Sequence, residues 1–187
     1  VFPQGDEKKI PNEIFKPTVS NDKLHPYFNI LTQYHSYQGA RNLINEIAYS
    51  YVDVDGNYVK DFQTTGFDAR LWELYLYVYL HTSGFSIDRS FSAPDYLFDY
   101  FGNHYAMEAV TVNNSDKFDE PPPKNIKETF LLSRDYMAIK FGSSLTSKLK
   151  KRYWEQGHVK GKPFIIAIHD YHMVATKDNL GSMVWSR

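Results

Sequence analysis

Residues 93–112 read APDYLFDYFGNHYAMEAVTV, and this run decides the fold class. Two apolar stretches, Tyr96 to Phe98 and Tyr105 to Val112, flank Asp99, Tyr100, Phe101, Gly102 and Asn103, a turn-rich link that predicts a β-hairpin. Each strand carries one acid that its apolar pattern does not need. Asp95 opens the first strand directly after Pro94, and Glu108 interrupts the second. A carboxylate inside such a strand is costly unless it is paired or holds a cation. Two of them on neighbouring strands can share one ion. Hard divalent ions such as Mg²⁺ or Mn²⁺ bind through one or two protein carboxylates, with water and phosphate oxygens filling the rest.

Working outward, residues from about Phe67 to Thr82 predict the strongest helix, with Leu71, Leu74, Tyr75, Val78 and Tyr79 as its buried stripe and Gly84 as its stop. Phe85 to Asp88 then reads as a first strand. Beyond Pro121, Pro122 and Pro123 a helical pattern runs from about Glu128 to Trp154, and the GKP at 161–163 introduces FIIAIHDY. That unbroken apolar run predicts a central strand covered on both faces. The predicted class is α/β, in the order helix, three strands, helix, strand.

An N-terminal helical extension precedes this core. Ala40, Leu43, Ile44, Ile47, Ala48 and Tyr51 recur at helical spacing between Gln38 and Tyr51. Residues 1–30, interrupted by Pro3, Pro11, Pro17 and Pro26, predict an arm laid over the surface and held by its Phe and Tyr side chains. VDVDGNYV reads as a tight hairpin or loop around Asp55 and Gly56. It is no EF-hand, because Asn57 and Thr64 stand at the fifth and twelfth positions counted from Asp53.

The 187 residues suit a single domain: arm and helix through about 60, core over about 61–175, and a tail at 176–187. A start at Val1 and a stop at Arg187 straight after an apolar patch suggest a piece of a longer protein. The 15 Tyr and 13 Phe supply the area for a packed core. With 21 basic and 22 acidic residues, any attraction to nucleic acid must be local. The absence of Cys excludes disulfides, thiolate zinc sites and a cysteine nucleophile, and fits a reducing compartment. No apolar run suits a membrane span and no signal peptide opens the chain, so the expected location is cytoplasmic.

The order of elements and the placing of the acids resemble the PD-(D/E)XK nuclease superfamily, over about residues 66–171. In that family a Pro-Asp pair opens the second core strand, an acid lies in the third, and a Glu from the first core helix assists. Pro94 with Asp95, Glu108, and Glu73 in ARLWELYLYVYL occupy those places. The resemblance implies a restriction-endonuclease-like fold, Mg²⁺ or Mn²⁺ held by Asp95 and Glu108, and DNA as the partner; a homodimer is compatible with it. The family's lysine, two residues past the strand acid, is absent, for Val110 stands there. Related nucleases bring the lysine from the next helix, where Met137, Lys140, Phe141, Ser144, Leu145 and Lys148 share one side; Lys148 is the expected substitute.

Each of these residues also has a plainer reading. A Pro-Asp pair is common at strand starts, and a strand Glu can face water. Glu73 can be an exposed helix residue paired with Arg70 or Tyr77. Lys148, Lys150, Lys151 and Arg152 can be a solvated helix face; the sharper reading is a phosphate-contacting patch with Tyr153 and Trp154 stacking on a base. His169, Asp170 and His172 offer a second candidate metal site if the chain turns there. GxxxxGK[ST], GxGxxG and G-x-S-x-G are missing, which argues against a nucleotide hydrolase, a dinucleotide oxidoreductase and an α/β-hydrolase. The expected function is a metal-dependent nuclease with Asp95, Glu108, Glu73 and Lys148 as its catalytic set. Its rival is a nuclease-fold module that binds nucleic acid or protein without turnover.

Overall fold

A computed structural model describes Ile10, residues 13–113 and residues 125–171. Those residues form an α/β chain whose elements are α1 (Pro26–Gln33), α2 (Gln38–Ser50), α3 (Tyr58–Gln63), α4 (Phe67–Thr82), β1 (Ser86–Asp88), β2 (Tyr96–Tyr100), β3 (Asn103–Val112), α5 (Ile126–Leu149) and β4 (Phe164–Asp170). From α4 onward the order is helix, three strands, helix, strand, as the sequence predicts. The strands form one sheet in the order β1-β2-β3-β4. β1 and β3 run antiparallel to β2. The bonds from Ala106 N–H to Pro163 O and from Tyr171 N–H to Val112 O advance together along both strands, so β4 lies parallel to β3.

The described residues divide into two units, one reaching to Ala109 and including Tyr153–Ala167, the other taking Val110–Arg152 and the chain from Ile168. In the first unit, sheet alternation sorts the side chains into two clusters. Tyr96, Phe98, Met107 and Ala109 pack with Leu74, Tyr77 and Leu80 of α4. Leu97 and Ala106 pack with Val159, Trp154 and Phe164 on the other face. The N-terminal arm is pinned by Gln63, whose amide N–H groups donate to the carbonyls of Ile14 and Lys16 while its Oε1 accepts from Thr18.

The second unit holds α5. Asn125 caps it, its Oδ1 accepting from Glu128 N–H at 2.9 Å while Glu128 Oε1 accepts from the Asn125 amide at 3.0 Å. The predicted helix to Trp154 stops instead at Leu149. Arg152, with φ of 51°, takes the left-handed conformation that ends helices.

Of the two readings of VDVDGNYV the loop holds, because Asp53 accepts from Gly56 N–H at 2.9 Å and Tyr58 N–H at 3.1 Å and so turns the chain into α3. Two further expectations are corrected. The inner face of α4 excludes Tyr75 and Tyr79, which are 61% and 54% exposed, and centres on Leu74, Tyr77 and Leu80. Strand β4 closes the described sheet rather than filling its centre. It pairs with β3 on one side, and Ile165 is 38% exposed.

Candidate active site

The β2–β3 register pairs Tyr96 with Met107, so Asp95 stands one step further along, across from Glu108. The two acids bind each other's strands. Asp95 Oδ2 accepts from the N–H of Ala109 at 2.8 Å, and Glu108 Oε2 accepts from the N–H of Asp95 at 3.3 Å. Glu108 is only 3% exposed, while Asp95 is half-buried. Pro94, which fixes the strand entry, is fully buried. Just upstream, His158 Nε2 bonds the carbonyl of Ala93 at 2.8 Å, and its ring stacks on Phe91 at 3.9 Å.

Glu73 reaches the same region from α4. It is 6% exposed, so the reading of it as an exposed helix residue is wrong, although its pairing with Arg70 is right. Arg70 Nη1 donates to both Glu73 oxygens, at 2.9 and 3.1 Å, and Arg70 Nη2 donates to Asp61 at 2.7 Å. Tyr51 donates to Glu73 Oε2 at 3.1 Å, and Tyr96 donates to the Glu73 carbonyl at 2.6 Å. Burial first, and the nearby Asp95 charge second, push the Glu73 carboxyl up to about 7 against the opposing pull of Arg70. Burial also holds the Tyr51, Tyr58 and Tyr96 phenols above their ordinary value, so they serve as donors.

Asp95 links the two other acids. Its charge acts on Glu73, and its side chain bonds the strand residue after Glu108. Glu108 itself shares the strand face of Ala106, whereas Met107 and Ala109 face α4. Among the described residues no three acidic or imidazole side chains are grouped to hold an ion. Of the expected ligands, Asp95 and Glu108 offer hard oxygens of the kind Mg²⁺ or Mn²⁺ takes together with water and substrate.

Two residues outside the expected catalytic set complete the site. Arg70 is one. Arg89 is the other: its Nε donates to Val52 O at 3.3 Å, its Nη1 donates to Asp95 O at 2.6 Å, and its guanidinium lies over the Tyr51 and Tyr96 rings at 4.0 and 5.1 Å. Burial weighs against its charge, but Tyr51, Tyr96, Glu73 and Asp95 more than offset that and keep it cationic. Its place six residues before Asp95, in IDRSFSAPD, was the available signal.

Lys148 lies half-buried in the last turn of α5, in the second unit, and Lys140 is half-buried earlier in the same helix. Tyr153 is buried and so presents no face to a base, and both its ring and that of half-buried Trp154 pack against Phe164. His169 bonds the Asp170 carbonyl at 3.1 Å and stacks on Tyr171 at 4.3 Å. His172, the third member of that candidate metal site, lies outside the described residues. Among the described residues no helix is long and apolar enough to cross a membrane. No family model, no curated protein and no solved structure matches this chain.

Proposed function

We propose that the chain is a metal-dependent phosphodiesterase acting on DNA, an endonuclease of restriction-endonuclease-like build. The observation that carries the reading is the Asp95–Glu108 pair, two acids opposite each other across one hairpin, the carboxylate of each fixed by a backbone donor of the other's strand. Supporting it are the order of the core elements and the arrival of Glu73 from the preceding helix with its carboxyl pushed up to about 7. A bound Mg²⁺ or Mn²⁺ would supply Lewis-acid activation of water and of the scissile phosphate.

The chain's own residues divide the remaining work. Asp95 and Glu108 would hold the ion. Glu73 would assist from the α4 side through its charge beside Asp95, with its carboxyl pushed up to about 7 and its oxygens held by Arg70 and Tyr51. Arg89 holds the Asp95 carbonyl and brings positive charge beside the acids. Lys148 is the residue that the resemblance names for orienting water.

A second reading, binding without turnover, is favoured by Val110 at the lysine position and by Arg70, which occupies both oxygens of Glu73. Incubating the protein with plasmid and oligonucleotide DNA and Mn²⁺ separates the two. Metal-dependent nicking abolished by Asp95→Ala supports the enzyme, and DNA retention without any nicking supports the binder.

A further inference from the structure

Arg89, which holds the Asp95 carbonyl, also lines a cleft of about 350 Å³ with Ser50, Tyr77, His81, Phe85 and Ser86. That volume falls in the lower range of small-ligand sites. Among its described lining residues Arg89 is the one with a permanent charge. Its two hydrogen bonds go to neutral carbonyls, and aromatic faces cover its plane, which engages Nε and Nη1 out of a five-donor fork. Among the described residues no carboxylate forms an ion pair with it, whereas Arg70 has two. A cation held this way, with its stem and neighbours fixed, is preorganised for an anion with two oxygens in one plane.

The rest of the lining limits what that anion carries. The Tyr77 and His81 rings lie nearly parallel, 12° apart, and with Phe85 they give the cleft flat apolar walls. Ser86 adds a polar side chain, whereas the Ser50 hydroxyl donates to the Ile47 carbonyl at 2.7 Å. We propose that this cleft binds a phosphate monoester attached to a flat ring system, a nucleoside 5′-monophosphate or the 5′-phosphate end of a DNA strand, with Arg89 on the phosphate. The proposal rests on the cleft and does not depend on metal at Asp95 and Glu108.

Calorimetric titration in EDTA tests it, because the chelator removes any metal-held phosphate from the measurement. The probes are a nucleoside 5′-monophosphate, the matching nucleoside, inorganic phosphate and a short 5′-phosphorylated oligonucleotide. The monophosphate should bind at least about tenfold tighter than the nucleoside, with inorganic phosphate competing. The oligonucleotide binding as well points to a DNA end, and the free monophosphate binding alone points to a nucleotide. Arg89→Lys should weaken binding about tenfold through loss of the planar fork. Since Arg89 also ties two backbone carbonyls, Ser86→Asp provides the second variant. It sits on the exposed side of β1, leaves the Arg89 bonds intact, and should weaken binding by repulsion. The proposal is overturned if no phosphate probe binds at about 5 mM, if the nucleoside binds as tightly as its monophosphate, or if Ser86→Asp binds like the parent.

Discussion

The Asp95 carboxylate holds the strand of Glu108, and the Glu108 carboxylate holds the strand of Asp95, through hydrogen bonds of 2.8 Å to Ala109 N–H and 3.3 Å to Asp95 N–H. One oxygen of each acid is spent on this brace. Both carboxylates are thereby positioned before any ion arrives, so an ion would gain charge compensation without the cost of ordering long side chains. Binding to the native state alone then adds stability by mass action.

Millimolar Mg²⁺ or Mn²⁺ should accordingly raise the melting temperature. At ten times the dissociation constant the gain is about 1.4 kcal/mol, or roughly 3 to 6 °C for a chain of this length. Asp95→Asn and Glu108→Gln retain an oxygen for the backbone bonds but remove the charge, and should abolish the rise. A melting temperature indifferent to both metals would remove the site.

Glu73 makes stability depend on pH. Its carboxyl is pushed up to about 7 by burial and by Asp95, above the value of about 4.3 in an unfolded chain. Within that window the native state keeps a proton that the unfolded state has lost. The contribution is therefore complete below about pH 4.3, and it declines as pH rises through about 7, by at most about 1.4 kcal/mol per unit. Urea unfolding from about pH 5 to about pH 8 should show this decline. Glu73→Gln should flatten it, and equal slopes for the two proteins would assign the decline to other groups.

The hairpin tip carries a local cost. Phe101 and Gly102 both have positive φ, 50° and 77°, as a two-residue turn of the favoured hand requires. Gly102 takes this conformation freely, but the Cβ of Phe101 costs roughly 1 kcal/mol there. The ring repays little, being 87% exposed and touching Tyr100 edge-on at 4.6 Å. Phe101→Asn should stabilise the protein by about 0.5 kcal/mol in denaturant unfolding. A loss of stability would mean that the Tyr100 contact outweighs the backbone relief.

What could be read in advance follows from the range of the forces involved. Helix α4 spans the predicted Phe67–Thr82, because Gly84, with φ of 83°, marks its end locally. The β2–β3 hairpin was equally local, with two apolar strands and a glycine between them. The inner face of α4 was not local. Periodicity counts Tyr75 and Tyr79 as apolar and Glu73 as polar, yet Glu73 is buried because Arg70, Tyr51 and the sheet satisfy it. Tyr51 is 22 residues away in the chain, beyond the reach of any helical pattern. Arg89 joined the site for the same reason, through carbonyls and rings contributed by two separate segments, 51–52 and 95–96. The placing of β4 depended on pairing order, on which an apolar run is silent.

Cleavage decides between the two proposed functions, and the variants separate the roles. With Mn²⁺ or Mg²⁺ the wild-type chain should nick DNA. Asp95→Ala and Glu108→Ala should lower the rate by at least about 100-fold, as expected when an ion ligand that stabilises transition-state charge is lost. Each alanine also releases a backbone N–H, of Ala109 or of Asp95, so a stability loss of about 1 kcal/mol should accompany it, too little to unfold a domain of ordinary stability. Circular dichroism of each variant checks that the fold survives. Lys148→Ala distinguishes two uses of one charge. A residue that orients water should lower kcat with little change in KM, whereas a phosphate contact should weaken binding and reduce the salt slope by roughly one. Cleavage that persists in Glu108→Ala would place the chemistry away from the hairpin. Metal-dependent DNA binding with no product from any substrate would establish the binding module, with Val110 in the lysine position as the physical reason for its silence.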